Sequence, residues 1–165
     1  FQSLTAGWAL YLIHAVSAVL VGVLLRGKRR PKPGLFPPQR LPENILPAFI
    51  RSVQDSALAM LRVCGFVVFA LVVQALVTEW TGISHPAALG FIELTGGVMR
   101  LGSGRTDFVW AAALLGWGGL SVHGQTAAVL ADTNLKMDRY FLGKLLQAAL
   151  SALLAYLLVF CWYSV

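Results

Sequence analysis

The chain contains few charged residues. Of its 165 residues, seven are Asp or Glu and thirteen are Lys or Arg, so that charged residues make up 12%. A typical soluble domain carries about 25%. Hydrophobic residues make up 58% of the chain, which leaves too little polar surface to cover a water-soluble fold. The composition therefore excludes an ordinary soluble domain and predicts an integral membrane protein.

Cysteine is also scarce, with Cys64 and Cys161 both lying in apolar segments. Two such cysteines indicate neither a disulfide framework nor a metal site, and we expect both to be small buried hydrophobic residues. The sequence has no Ser/His/Asp grouping, phosphate-binding Walker loop or metal-ligand spacing. We therefore expect neither enzyme activity nor a cofactor.

The net charge of +6 is concentrated in one short region. Six of the thirteen basic residues lie between Arg26 and Arg40, directly after an apolar segment. Clustering of this kind is typical of the cytoplasmic flank of a membrane helix. It predicts topology and contact with membrane lipid, and it gives no support for nucleic-acid binding.

The first apolar run, Thr5 to Leu25, is long enough to cross about 30 Å of hydrocarbon as a helix. Residues 1–30 are thus predicted to form a first transmembrane helix with its basic cytoplasmic flank. The segment from Pro31 to Pro47 contains six prolines and cannot form a continuous helix, so residues 31–47 are predicted to be a cytoplasmic loop. Residues 48–165 are predicted to form a helical membrane domain.

Within this domain three further spans are predicted, from Ala48 to Trp80, from Phe108 to Ala131 and from Tyr140 to Val165. The apolar stretch His85 to Leu101 is short for a crossing and contains Pro and several Gly. It is better suited to a re-entrant hairpin or a pair of half-helices. The predicted fold is an all-α polytopic membrane protein with about four transmembrane helices and one re-entrant or broken helical segment.

The charge distribution favours re-entry over a full crossing. If His85–Leu101 enters and leaves on one side, the basic regions Arg26–Arg51 and Lys136–Lys144 share the cytoplasmic side. Only Arg100 and Arg105 then lie on the other side. This arrangement fits the positive-inside rule better than its alternative.

Two glycine-interrupted segments are the candidate functional region. Gly90–Gly97 reads GFIELTGG, and Gly116–Gln125 reads GWGGLSVHGQ. Glu93 in the first segment is an acid at membrane depth, which costs at least about 2.5 kcal/mol unless the group is buried, paired or functional. Broken membrane helices expose backbone groups from which transporters build binding sites. The candidate solute-binding residues are Glu93, Thr95, Gly96, Gly97, Gly118, Gly119, Ser121, His123 and Gln125.

Structural roles for these residues remain open on the sequence alone. Glu93 either caps backbone amides at a helix start, pairs with an arginine, or handles a proton or cation. His123 and Gln125 either serve a site or form ordinary hydrogen bonds between helices. The glycine pairs equally suit close helix packing, and His14 is expected to be a packing residue.

The same two segments carry a family resemblance. Gly90–Gly97, Gly118–Gln125 and the His14 helix ending Gly22-Val-Leu-Leu-Arg26 resemble the sporulation integral membrane protein YlbJ family, within the group that carries the nucleoside recognition, or Gate, domain. The resemblance extends over nearly the whole chain. Members of that family are longer, so we expect the chain to correspond to their C-terminal part, with the N-terminal half of the same protein as a partner.

The resemblance implies transport of a small solute across a membrane. In that family transport is associated with dipicolinic acid during sporulation, and in Gate-domain relatives with nucleoside-like solutes. We therefore expect a transporter, or part of one, for a small anionic or heteroaromatic solute. It would lie in a bacterial cytoplasmic membrane or a membrane that surrounds the forespore. The expected partners are the solute, a coupling proton or cation, lipid and a second copy of the chain.

For an anionic solute, the expected partners are half-helix N-termini near Gly97 and Gly119, together with Arg100 or Arg105, since Glu93 would repel it. The alternatives are a carrier of nucleoside-like solutes and a scaffold in spore-envelope assembly that transports nothing.

Overall fold

The computed structural model describes residues 3–27, 44–131 and 137–162, and within these ranges all regular secondary structure is helical. The all-α prediction is confirmed. These ranges contain seven α-helices followed by a short π-helix. Their bounds are α1 Leu4–Leu24, α2 Ile45–Thr81, α3 Pro86–Ile92, α4 Leu94–Met99, α5 Arg105–Trp117, α6 Gly119–Leu130 and α7 Met137–Tyr156, with the π-helix at Leu157–Trp162.

Within the described part of the chain, three helices are long and apolar enough to cross a membrane: Leu4–Leu24, Ile45–Thr81 and Met137–Phe160. They correspond to the first, second and last predicted spans. Few residues in their apolar windows are buried inside the bundle, so these helices present many large aliphatic and aromatic side chains on the outside. An apolar outer surface of this extent is compatible with insertion into lipid.

Two predictions about α2 are wrong in detail. The proline-rich loop was expected to extend to residue 47, but the helix begins at Ile45. Pro47 fits the first helical turn because backbone N–H groups there have no intrahelical partner. Cys64 was expected to be buried but is exposed. It lies on the outer face of α2, where a small apolar side chain can face lipid instead of the protein interior.

The predicted loop between residues 31 and 43 and the basic residues from Lys28 to Lys32 lie outside the described residues.

The other two predicted membrane segments are interrupted helices, as their glycines indicate. The stretch His85–Leu101 forms α3 and α4, which are separated at Glu93 by extended backbone with φ −136° and ψ 118°. The expected third span is α5 followed by α6, with left-handed backbone at Gly118 (φ 92°) and Gly119 (φ 77°). A left-handed conformation at two successive residues is readily available only to glycine.

The bundle is organised around α7, which packs against both α5 and α1, while α2 packs against α6 and α3. Small residues permit the close approach of α5 and α7. A Cβ atom added to Gly116 would lie only 2.7 Å from the Cα atom of Ala148. Close packing of small residues is the usual way in which helices associate in membranes.

Candidate functional site

The first helix break lies at the tip of a short helical hairpin formed by α3 and α4. Gly97 of α4 packs directly on the backbone of Gly90 of α3, and a Cβ atom at Gly97 would collide with it. Gly97, one of the two candidate glycines in this segment, is therefore needed for close backbone packing. The hairpin places Glu93 inside the protein.

The Glu93 side chain is 2% exposed and caps the start of α4. One carboxylate oxygen, Oε1, accepts a hydrogen bond from the Thr95 N–H (3.1 Å), and Oε2 accepts one from the Gly96 N–H (2.6 Å). These are the second and third residues of the helix, whose N–H groups a capping side chain ordinarily satisfies. Of the roles left open by the sequence, the geometry matches helix capping.

Gln74 of α2, which the sequence analysis did not select, secures the same break from the other side. Its Nε2 amide donates to the carbonyl oxygens of Leu89 (2.7 Å) and Glu93 (3.1 Å). The side chain is 3% exposed. A buried amide that satisfies two carbonyls holds the hairpin to α2, because leaving those carbonyls unpaired would be costly.

The second helix break lies directly on the first. A Cβ atom at Gly119 would lie 3.0 Å from the backbone nitrogen of Leu94, 3.3 Å from the carbonyl oxygen of Ile92 and 3.5 Å from Cα of Glu93. Trp117, just before this break, donates from Nε1 to the carbonyl oxygen of Phe91 at 3.1 Å. The two interruptions therefore form one continuous region of irregular backbone.

An aromatic group, Trp117, His123, Tyr140 and Phe141, lies beside this region. The His123 ring centroid lies 4.2 Å from that of Trp117, 5.4 Å from that of Tyr140 and 5.0 Å from that of Phe141. His123 Nδ1 is 3.1 Å from the Tyr140 hydroxyl. This hydroxyl also lies 3.2 Å from Oγ1 of Thr126.

Two buried polar atoms in α6 have no hydrogen-bond partner within the described chain: Nε2 of His123 and Oγ of Ser121. His123 is 3% exposed and Ser121 is 4% exposed. Buried polar side chains nearly always have a partner, so such exceptions need an explanation. A ligand or an internal water molecule would provide one.

The remaining candidate residues are separated from the breaks or play other parts. Gln125 lines a groove between α2 and α6 together with Arg62 and Phe66. Thr95 is exposed and contributes its backbone N–H to the Glu93 cap, while Gly96 fits against the Gln74 side chain. The structure therefore brings Glu93, Thr95, Gly96 and Gly119 together, but it places Gln125 on a different surface.

The expected anion partners near Gly97 require correction. Gly97 lies within α4 rather than at its start, and the start of α4 is already occupied by the Glu93 carboxylate. Arg105 lies over the Phe160 ring, with Cζ 5.9 Å from the centroid. Arg100 lines a shallow cavity with Gln74 and Thr78.

A polar stripe on α7 was missed by the sequence analysis. One helix face, at i, i+4, i+7 and i+11 spacing, carries Tyr140, Lys144, Gln147 and Ser151, and this face points into the bundle. Gln147 and Ser151 are buried, and the Ser151 hydroxyl is 2.8 Å from that of Ser17 in α1. The spacing alone was a usable signal, because four polar residues on one stripe of an apolar helix face other helices rather than lipid.

Comparison with known proteins gives no match: no family model fits the chain, and no curated protein or solved structure is significantly similar to it. The membership suggested by the sequence motifs thus stays a prediction. What the fold and the site define is a helical bundle with three membrane-length helices and two helix breaks in contact.

Proposed function

We propose that the chain is a membrane transporter, or the part of one that holds the solute path, for a small anionic or heteroaromatic solute. The observation that carries this proposal is the contact of Gly119 with the backbone at Leu94. Paired breaks of this kind are the architecture from which secondary transporters build their sites near the membrane midplane. In this proposal α3 and α4 form a re-entrant hairpin, and α5 and α6 form a fourth, broken span.

The aromatic group beside the breaks supports a planar solute. Trp117, Tyr140 and Phe141 pack around His123, whose Nε2 atom has no partner in the described chain. Apolar walls with a few polar atoms are typical of small-molecule sites. A ring that carries a hydrogen-bonding group matches this combination.

Glu93 has a positioning role in this proposal. Both of its carboxylate oxygens already accept backbone hydrogen bonds, so it fixes the shape of the hairpin. In this proposal Glu93 does not bind the coupling proton or cation that the sequence suggested for it.

Uptake by liposomes that contain the purified chain tests the proposal. Radiolabelled dipicolinate, nicotinate and uridine represent a dianionic heteroaromatic solute, a monoanionic one and a nucleoside. We expect uptake of at least one above that of protein-free liposomes, with saturation as its concentration rises. Failure to take up any of the three, by protein shown to be folded and inserted, would overturn the proposal.

The alternative function, a membrane scaffold, is favoured by one observation. The first two turns of α2 expose Ile45, Leu46, Phe49 and Ile50, which is a surface suited to a partner helix. Oxidative cross-linking through the exposed Cys64 in native membranes tests it, with Cys64→Ser as the control. A cross-linked species together with absent solute uptake would favour the scaffold.

A further inference from the structure

Lys144 lies inside α7, two helical turns from its start at Met137, and not at the helix flank where its charge was expected to mark topology. Its Nζ atom donates to Oε1 of Gln147 at 3.1 Å. Its Cε atom is 3.7 Å from the position that a Cβ atom would occupy on Gly118. The ammonium group is therefore held at the α5–α6 break.

The hydrogen-bond chain beyond Lys144 fixes the neighbouring groups. Because Lys144 only donates, Gln147 must turn its oxygen towards Lys144 and its NH₂ towards His14. Gln147 Nε2 lies 3.5 Å from His14 Nδ1, so that Nδ1 is the acceptor and the His14 proton is on Nε2. Gln147 therefore links the Lys144 side chain to His14 of α1.

The positive charge of Lys144 has no acidic partner among the residues that the structure describes. The charged or titratable groups that face it are His14 of α1 and His123 of α6, both bases. The carboxyl end of α5 supplies only about half a negative charge. An ammonium group has three donors, and Gln147 accepts one of them. A charge on an apolar membrane-length helix is costly without a counter-charge.

A second, independent observation lies on the facing helix. His123 is 3% exposed, and its Nε2 atom has no partner in the described chain. Tyr140 and Phe141, which lie one turn before Lys144 on α7, both pack against the His123 ring. A cation without a counter-charge and a buried ring nitrogen without a partner therefore occur in one neighbourhood.

We propose that Lys144 and His123 form an anion-binding subsite at the α5–α6 break that takes the carboxylate group of a small organic acid. The two remaining Lys144 donors and Nε2–H of His123 bind the carboxylate oxygens, while the Tyr140 hydroxyl donates to Nδ1 of His123. Gln147 and His14 position the Lys144 side chain. That this subsite lies on the solute path rests on the proposed function. The subsite itself is tested by ligand binding alone.

Equilibrium dialysis of [¹⁴C]benzoate against the full chain in lipid nanodiscs measures this binding, with benzamide as the uncharged probe. We expect the wild type to bind benzoate and not benzamide. Lys144→Gln should weaken benzoate binding about tenfold or more, as the loss of a charge-assisted hydrogen bond does. Lys144→Arg should retain most of it. Arg62→Gln, which removes one positive charge from the α2–α6 groove, is the matched control and should bind like the wild type.

Gln147→Glu provides a second test that does not remove the lysine. It places a carboxylate next to Lys144 in the position where Gln147 Oε1 now accepts, so an internal counter-ion replaces the ligand. This variant should fold and should lose benzoate binding. Equal benzoate affinity in the wild type, Lys144→Gln and Gln147→Glu, or no benzoate binding by the wild type, would overturn the subsite. Binding without uptake into liposomes would keep the subsite and overturn transport.

Discussion

Gly119 lies against Leu94 so closely that a Cβ atom at Gly119 would sit 3.0 Å from the Leu94 backbone nitrogen. This contact joins two interruptions that are about 25 residues apart in the chain. It depends on glycine twice, because Gly119 also has a φ of 77° that other residues rarely adopt. The irregular backbone of both segments is therefore one structural unit, and changes in either should affect the other.

Replacing Glu93 should mainly affect stability. Glu93→Ala removes the acceptor for the Thr95 and Gly96 N–H groups and should lower the free energy of unfolding by roughly 1–3 kcal/mol. Glu93→Asp keeps a capping carboxylate and should cost less. Unfolding in mixed detergent micelles, followed by far-ultraviolet circular dichroism, measures both. Unchanged stability of Glu93→Ala would contradict the capping role.

Gln74→Leu should separate the hairpin from α2. The variant leaves the Leu89 and Glu93 carbonyl oxygens without their amide donor, which should cost roughly 1–2 kcal/mol of unfolding free energy. Gln54→Leu, a change at an exposed position of the same helix, is the control and should have little effect. The same unfolding titration compares the two variants, and equal losses would show that Gln74 is not a special contact.

Gly116→Ala should destabilise the bundle core. The added methyl group would approach Cα and the backbone nitrogen of Ala148 to 2.7 and 2.9 Å, so α5 and α7 would have to move apart, at a cost of roughly 1–3 kcal/mol. Gly65→Ala adds the same methyl group where nothing lies within 4 Å. It should be neutral or slightly stabilising, because alanine is favoured over glycine in a helix. Thermal unfolding of both variants measures the difference.

Local patterns in the sequence were sufficient to predict the positions of the two helix breaks. Glycine at residues 118 and 119 and the acid at Glu93 predicted where the helices are interrupted, because backbone conformation and helix capping depend on near neighbours. The contact between the breaks, with Gly119 on the Leu94 backbone nitrogen, depends on tertiary packing, so local patterns could not predict its form.

Interactions between distant segments explain what the sequence analysis missed. Gln74 is a single polar residue in the apolar stretch Val63–Val77 of α2, and its role depends on two carbonyls that lie 15 and 19 residues further along. Lys144 was grouped with Lys136 and Arg139 because they are adjacent in sequence. Seven residues into a helix correspond to about 10 Å of depth, which is enough to move Lys144 from the flank into the bundle.

The most direct test of the central claim compares solute uptake by liposomes that contain the wild type, Gly119→Ala or Gly65→Ala. Gly119→Ala places a methyl group between the two breaks and strains the backbone. The methyl group added by Gly65→Ala has no other atom within 4 Å. If the joined breaks form the solute path, Gly119→Ala should lose most of the uptake per folded molecule while Gly65→Ala transports like the wild type. Full uptake by folded Gly119→Ala would contradict the account.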